Sequence, residues 1–156
     1  MTATTTINPA APAAVAGRGL HFAAGIPGFP TARSFRVSHW GGGPSPFLVL
    51  ECQDIEGLRF VAASPRVFFP WYEPTLGPEV FQALGASGPD DVEVLAILTL
   101  HSRPEQTTFN LLGPLVVNPV TGDAVQAVLS GSGYDPRTPI LAQGRSASTE
   151  GAAARS

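Results

Sequence analysis

The chain is 156 residues long and contains no lysine: its nine basic residues are all arginine. That absence removes Schiff-base chemistry and a phosphate-loop lysine from consideration. There is one cysteine, Cys52, so neither an intramolecular disulfide nor a shared thiolate metal site is open to the sequence. Charged residues make up only 13% and the formal net charge is -3, which gives no drive toward phosphate backbones or anionic membranes. No run of about 18 apolar residues exists to span a bilayer, and the opening Met1-Thr2-Ala3-Thr4-Thr5-Thr6-Ile7 lacks the basic start and apolar core of a signal peptide. The expectation is a cytoplasmic protein with one core, for which 44% hydrophobic residues is ordinary.

Turn formers are abundant, with 17 glycines and 16 prolines, and they divide the chain into short segments. Residues 1–19 are Ala/Pro-rich and short of large side chains, and are expected to form a flexible arm; residues 142–156 have the same character and are expected to form a disordered tail. Between them, residues 20–141 are expected to fold as one domain. Leu20-His21-Phe22 reads as a short strand entering the tight turn Gly25-Ile26-Pro27-Gly28-Phe29-Pro30, with Phe29 as an apolar anchor. Phe35, Val37 and His39 alternate with polar residues as a half-exposed strand does. Phe47 to Gln53 and Leu58 to Ser64 form an antiparallel pair around Asp54-Ile55-Glu56-Gly57.

Gly77-Pro78-Glu79, the apolar spacing of Val80, Phe81 and Leu84, and the stop at Gly85 predict one helix. Val92 to Leu100 is so continuously apolar that a strand there must be covered on both faces, as a central strand is. Phe109 to Leu129 reads as a single hairpin, its strands rich in Leu and Val and its connection built around Asn118-Pro119 and Thr121-Gly122-Asp123. The fold class is therefore mainly β, a small antiparallel β-barrel-like domain with one short helix.

A catalytic or metal constellation does not emerge. His21, His39 and His101 are far apart, no Gly-x-Ser-x-Gly elbow occurs, and the adjacent Asp90-Asp91 sits in a turn cluster where carboxylates usually cap backbone. No catalytic residue, metal ligand or cofactor site is assigned. Three features remain as candidates for contact with a partner. The acidic group Glu51, Asp54 and Glu56 is either a docking edge for a basic partner or a solvated hairpin end. Phe69, Trp71 and Tyr72, with Phe68, either cap the barrel or anchor an interface. The amides Asn110, Asn118 and Gln126 either pin the hairpin's register or touch a partner.

Three blocks in order carry a family resemblance: Phe22-x-x-Gly25-Ile26-Pro27-Gly28-Phe29; Pro46-Phe47 through Cys52-Gln53 to Phe60-Val61, with Pro65 and Tyr72; and Asn110-Leu111-x-x-Pro114-Leu115-Val116-Val117-Asn118 with Gln126. Together they resemble the FliW family, the bacterial flagellar assembly factors. The resemblance implies a non-enzymatic regulator that binds CsrA, relieving repression of flagellin translation, and that also binds flagellin, without direct contact to nucleic acid or membrane. It marks Gly25, Pro27, Gly28, Phe29, Asn110, Pro114, Asn118 and Gln126 as motif positions of structural weight. The family's usual N-terminal strand falls here on Ala/Pro-rich sequence, which implies that it is missing, shortened or rebuilt. Alternative readings are a flagellin chaperone with no CsrA role, or a small β-barrel ligand-binding or enzymatic domain whose pocket wall is the aromatic loop.

Overall fold

A computed structural model describes residues 15–26, 28–42 and 45–141. The sequence expectations for residues 1–14, Pro27 and residues 142–156 lie outside these described residues. Nine strands are described: β1 (Gly19–Phe22), β2 (Ser34–His39), β3 (Phe47–Cys52), β4 (Arg59–Ala63), β5 (Glu93–Thr99), β6 (Thr108–Phe109), β7 (Leu115–Val117), β8 (Asp123–Gln126) and β9 (Thr138–Pro139). Strands β5, β4, β3, β2, β1, β8 and β7 neighbour one another in that order, and β7 pairs back onto β5, so seven strands close a barrel. Strand β6 branches off β5 and carries β9 on its outer side.

Closure follows from alternation along the strands, which sends every second side chain inward. Leu20 and Phe22, Phe35 and Val37, Leu48 and Leu50, Leu95, Leu115 and Val117 meet in the barrel interior, all at most 2% exposed. Burying each of these large side chains contributes about 1.5–3 kcal/mol. Cys52 lies in the same interior and is a core side chain.

Two further apolar layers cover the outside. Ala63, Ala96, Leu98, Phe109 and Leu111 pack beneath Phe69 and Tyr72. Val116, Ala127 and Leu129 pack beneath Val80 and Leu84. Strand β5 contributes Leu95 to the interior and Ala96 and Leu98 to the outer layer, so it is covered on both faces and pairs with three strands, as its continuous apolar run requires. The expected helix is α2 (Pro78–Leu84): Pro78 begins it with its φ already set, and Gly85 ends it in the left-handed region at φ 64°.

The structure refines the expected fold in four places. The packed body reaches back to Val15, which is fully buried in the barrel interior, although it falls in the stretch read as a flexible arm. A second helical turn, α1 (Pro65–Phe68), precedes the aromatic loop, because Pro65 at its first position pre-forms the turn. One seam of the barrel is parallel: β1 runs alongside β8 with His21 opposite Asp123 and Phe22 opposite Ala124. Finally, Phe109 to Leu129 is not one hairpin. The hairpin is β7–β8 alone, and the chain between β6 and β7 bulges away from β5, with Leu98 opposite Phe109 but Leu95 opposite Leu115. Ala96 and Ile97 thus face the whole stretch from Asn110 to Pro114, a departure from the ladder to which Pro114 contributes by lacking an N–H.

Candidate functional site

The bulge needs hydrogen-bond partners that the ladder no longer supplies, and the amides provide them. Asn110 accepts from the Gly113 N–H through Oδ1 at 2.9 Å, and Gln126 donates from Nε2 to the Gly113 carbonyl at 2.9 Å. Gly113 has no side chain to obstruct them; a Cβ there would lie 2.8 Å from Gln126 Nε2. Asn118 is 6% exposed and joins two elements: its Nδ2 donates to the Leu84 carbonyl at the end of α2 at 2.8 Å, and its Oδ1 accepts from the Val120 N–H at 3.0 Å. The amides therefore pin the bulge and tie α2 to the β7–β8 turn. Gln126 Oε1 is buried with no hydrogen-bond partner among the described residues.

The Gly25 turn has a similar logic. Ile26 and Phe29 exchange backbone hydrogen bonds at 3.2 and 2.7 Å, and Gly28 takes φ 90°, the conformation the third position of such a turn demands. Gly25 stands at φ 73°, and a Cβ there would collide with the Pro30 and Phe29 carbonyl oxygens. Phe29, the turn's apolar anchor, is 40% exposed and packs edge-on against Phe60.

Glu51 is exposed on β3, in register between Arg36 of β2 and Arg59 of β4. Asp54 is engaged in the fold: its Oδ2 accepts from the Ser34 and Arg33 N–H groups at 2.7 and 2.9 Å, and these backbone bonds hold its carboxyl below the ordinary value. Glu56 is exposed at the hairpin end.

Of the aromatics, Phe69 and Tyr72 are fully buried and present no surface. Phe69 packs edge-on to Phe109 at 5.0 Å, and the Tyr72 hydroxyl donates to the Leu111 carbonyl at 2.7 Å. Burial drives the Tyr72 hydroxyl's pKa upward, so it stays a donor. Trp71 remains partly exposed and stacks on Tyr134, whose hydroxyl accepts from the Glu73 N–H at 3.1 Å. The loop caps the outer layer with two rings and leaves one at the surface.

Sequence reasoning missed a groove. Helix α2 and the strand β8 with its continuation to Ser130 enclose a cleft of about 480 Å³, floored by Val125, Ala127 and Leu129 and walled by Leu76, Val80 and Ala83. A second cleft of about 370 Å³, between the Gly25 turn and β8, shares Val125 and Gln126 with it, so the two run together. The pairing of β1 with β8 stops at Phe22–Ala124, which leaves the chain beyond Val125 uncovered on that side. Val128 stands in this opening, 59% exposed. Among the groove's lining residues Glu79 is the one acidic or basic side chain, and the rest of the lining is apolar or uncharged. The signal available in sequence was the pairing of an amphipathic helix with the exposed Val128 in an otherwise alternating strand.

The motif residues Gly25, Gly28 and Gln126 all line these clefts. The FliW family's sequence model, described as FliW protein, matches residues 3–140. The chain belongs to the FliW family. It is 38% identical over 119 residues to the flagellar assembly factor FliW of Bacillus subtilis, covering 76% of this chain and 82% of that one. It is 39% identical over 115 residues to FliW of Bacillus pumilus, covering 74% and 79%. A crystal structure of a flagellar assembly factor FliW superposes with a TM-score of 0.74 at 29% identity, covering 80% of this chain and 86% of the other. The FliW match begins well before Leu20, so the Ala/Pro-rich start lies within the family's span. Family membership supports a role in flagellum assembly. No helix among the described residues is long and apolar enough to cross a membrane.

Proposed function

We propose that this FliW-family chain acts in the cytoplasm without catalysis, by binding CsrA, and so relieving repression of flagellin mRNA, and by binding flagellin. The observation that carries the reading is the pair of clefts between α2, β8 and the Gly25 turn: their floor is apolar, they share Val125 and Gln126, and their walls include the family's own motif positions. Such a groove accepts an apolar helix face or an extended segment of a protein partner. Half-buried Trp71 with Tyr134 offers a second, smaller anchor of the kind that dominates interfaces. Exposed Glu51 and Glu56 lie outside the groove's lining and would tune encounter more than affinity.

The test is gel filtration and calorimetry of the purified chain with CsrA and with flagellin. Stable complexes are expected with both, and each loses at least about tenfold in affinity when its docking groove is blocked by Ala83→Glu or Val128→Glu, changes at exposed lining positions. Binding of flagellin but not CsrA would leave the chaperone reading, and binding of neither would remove the proposal.

A further inference from the structure

The strand that floors the groove has a free edge. The Ala127 N–H donates to the Pro114 carbonyl at 2.9 Å and the Leu129 N–H to the Leu112 carbonyl at 2.8 Å, so these residues turn their backbone groups toward the β7 side. Alternation along an extended chain turns the N–H and C=O groups of Gln126 and Val128 the other way. Strand β1 would meet them there, but its register with β8 ends at Phe22 opposite Ala124, and the chain then turns off, with the Gly25 N–H donating back to the Phe22 carbonyl at 2.9 Å. The backbone groups of Gln126 and Val128 are therefore left without a backbone partner on that side among the described residues. The edge at β9 is treated differently: that strand is Thr138–Pro139, and Pro139 cannot donate to a further strand. Val125 to Ser130 contains no proline and no charged residue, so nothing in its own sequence blunts the edge.

We infer that this edge takes an extended segment of a protein partner as an added strand, its backbone pairing with Gln126 and Val128 and its alternate side chains entering the groove. The inference rests on the groove being a protein-docking surface, as proposed above, and states how it is filled. An added strand supplies donors and acceptors to the free edge. A helix, whose own backbone bonds are internal, would cover those groups without pairing them and is the poorer occupant. The side-chain period of a strand then sets the chemistry of the segment. On one face its residues stand between Val80 and Ala83 of α2 and the floor of Val125, Ala127 and Leu129, so they are apolar. On the other they meet the cleft at the Gly25 turn, whose wall includes Gly25 and Gly28. Glu79 is the one charged side chain of the lining, which disfavours an acidic residue in the segment and favours a basic one beside it.

The probe is a fluorescein-labelled peptide amide of sequence Arg-Val-Thr-Val-Thr-Val-Arg, titrated by anisotropy. Saturable binding is expected, weakened at least about tenfold by Val128→Pro, which removes an edge N–H that the fold does not use. Val128→Thr, which keeps that N–H and the branched shape, should leave it unchanged. Thermal melts show whether Val128→Pro is folded, and N-methylated peptides put the same question to the native protein. Methylating the valine amides blocks one edge of the peptide and methylating the threonine amides the other, so one pattern should abolish binding and the other spare it. No saturable binding, undiminished binding by a folded Val128→Pro, or equal effects of the two methylation patterns would overturn the inference. Peptide binding without a complex of either CsrA or flagellin would uphold strand addition and remove the named partners. Complexes that Ala83→Glu breaks and a folded Val128→Pro leaves intact would keep the groove and overturn strand addition.

Discussion

Replacing Asn118 by alanine removes the link between α2 and the β7–β8 turn, and its cost follows from the two hydrogen bonds lost. The Leu84 carbonyl is one of the last four of its helix and has no intrahelical donor; it takes its hydrogen bond from Asn118 Nδ2 at 2.8 Å. Leaving that carbonyl unsatisfied beneath Asn118 costs roughly 1–3 kcal/mol. The second bond, to the Val120 N–H, is cheap to lose, because Val120 is 80% exposed and water replaces the oxygen. With the small void left by the amide, Asn118→Ala should destabilise the protein by about 2–3 kcal/mol. For a domain of this size that lowers the melting midpoint by about 10 °C. Asn118→Asp sharpens the test. The introduced carboxylate keeps the acceptor for Val120 but turns an acceptor toward the Leu84 carbonyl, so its folded pKa is raised above the usual carboxylate value. The penalty is then full at neutral pH and fades as the pH falls below that raised value, where the protonated acid donates to Leu84 as the amide did. Urea melts at pH 7 and pH 4, with hydrogen exchange of the α2 amides, report both effects. A loss below about 0.5 kcal/mol for Asn118→Ala, or an Asn118→Asp deficit that does not shrink in acid, would refute the reasoning.

Three further outcomes are expected. Gly25→Ala should cost about 2–4 kcal/mol in a denaturant melt, since it combines a left-handed φ with a collision against the Pro30 and Phe29 carbonyls, whereas Gly28→Ala, at φ 90° in open space, should cost only the conformational part. Tyr72→Phe should cost about 1–2 kcal/mol by leaving the buried Leu111 carbonyl without its donor, with partner binding unchanged because Tyr72 has no exposed surface. Glu93 has Oε1 buried without a partner among the described residues, and burial raises its pKa above 4.5. Its charge therefore burdens the folded state above that raised pKa and stops doing so below the unfolded value, so Glu93→Gln should raise the midpoint at pH 7 and lose its advantage as the pH falls toward 4.5.

What could be read from the sequence was local. The helix Pro78–Leu84 announced itself by a proline start and a glycine stop, and β2, β3 and β4 by alternation and a glycine-containing connection. The continuous apolar run of β5 marked it as central because both its faces must be covered, and they are. The features that escaped depend on residues distant in sequence. Glu51 looked acidic beside Asp54 and Glu56, but its cross-strand neighbours are Arg36 and Arg59, which no local window contains together. Two carboxylates of that group also differ in kind: substituting Asp54 removes backbone hydrogen bonds, so only Glu51 and Glu56 are fair surface probes. Phe69 and Tyr72 turn inward because an apolar outer face of β5 and β6 lies beneath them, whereas the proline spacing of their loop specified only that it was irregular. The bulge at Asn110–Pro114 and the parallel β1–β8 seam, which together shape the groove, exist only once the barrel has closed.

The most direct measurement of the account is calorimetric titration of the chain with CsrA and with flagellin, run in parallel on the native protein and on Val128→Glu. The native chain should form a complex with each, and Val128→Glu should weaken binding at the groove at least about tenfold while its melting midpoint stays within about 2 °C, since Val128 is 59% exposed and packs little. Undiminished affinity for both partners in a folded Val128→Glu, or no heat of binding to either from the native chain, would contradict it.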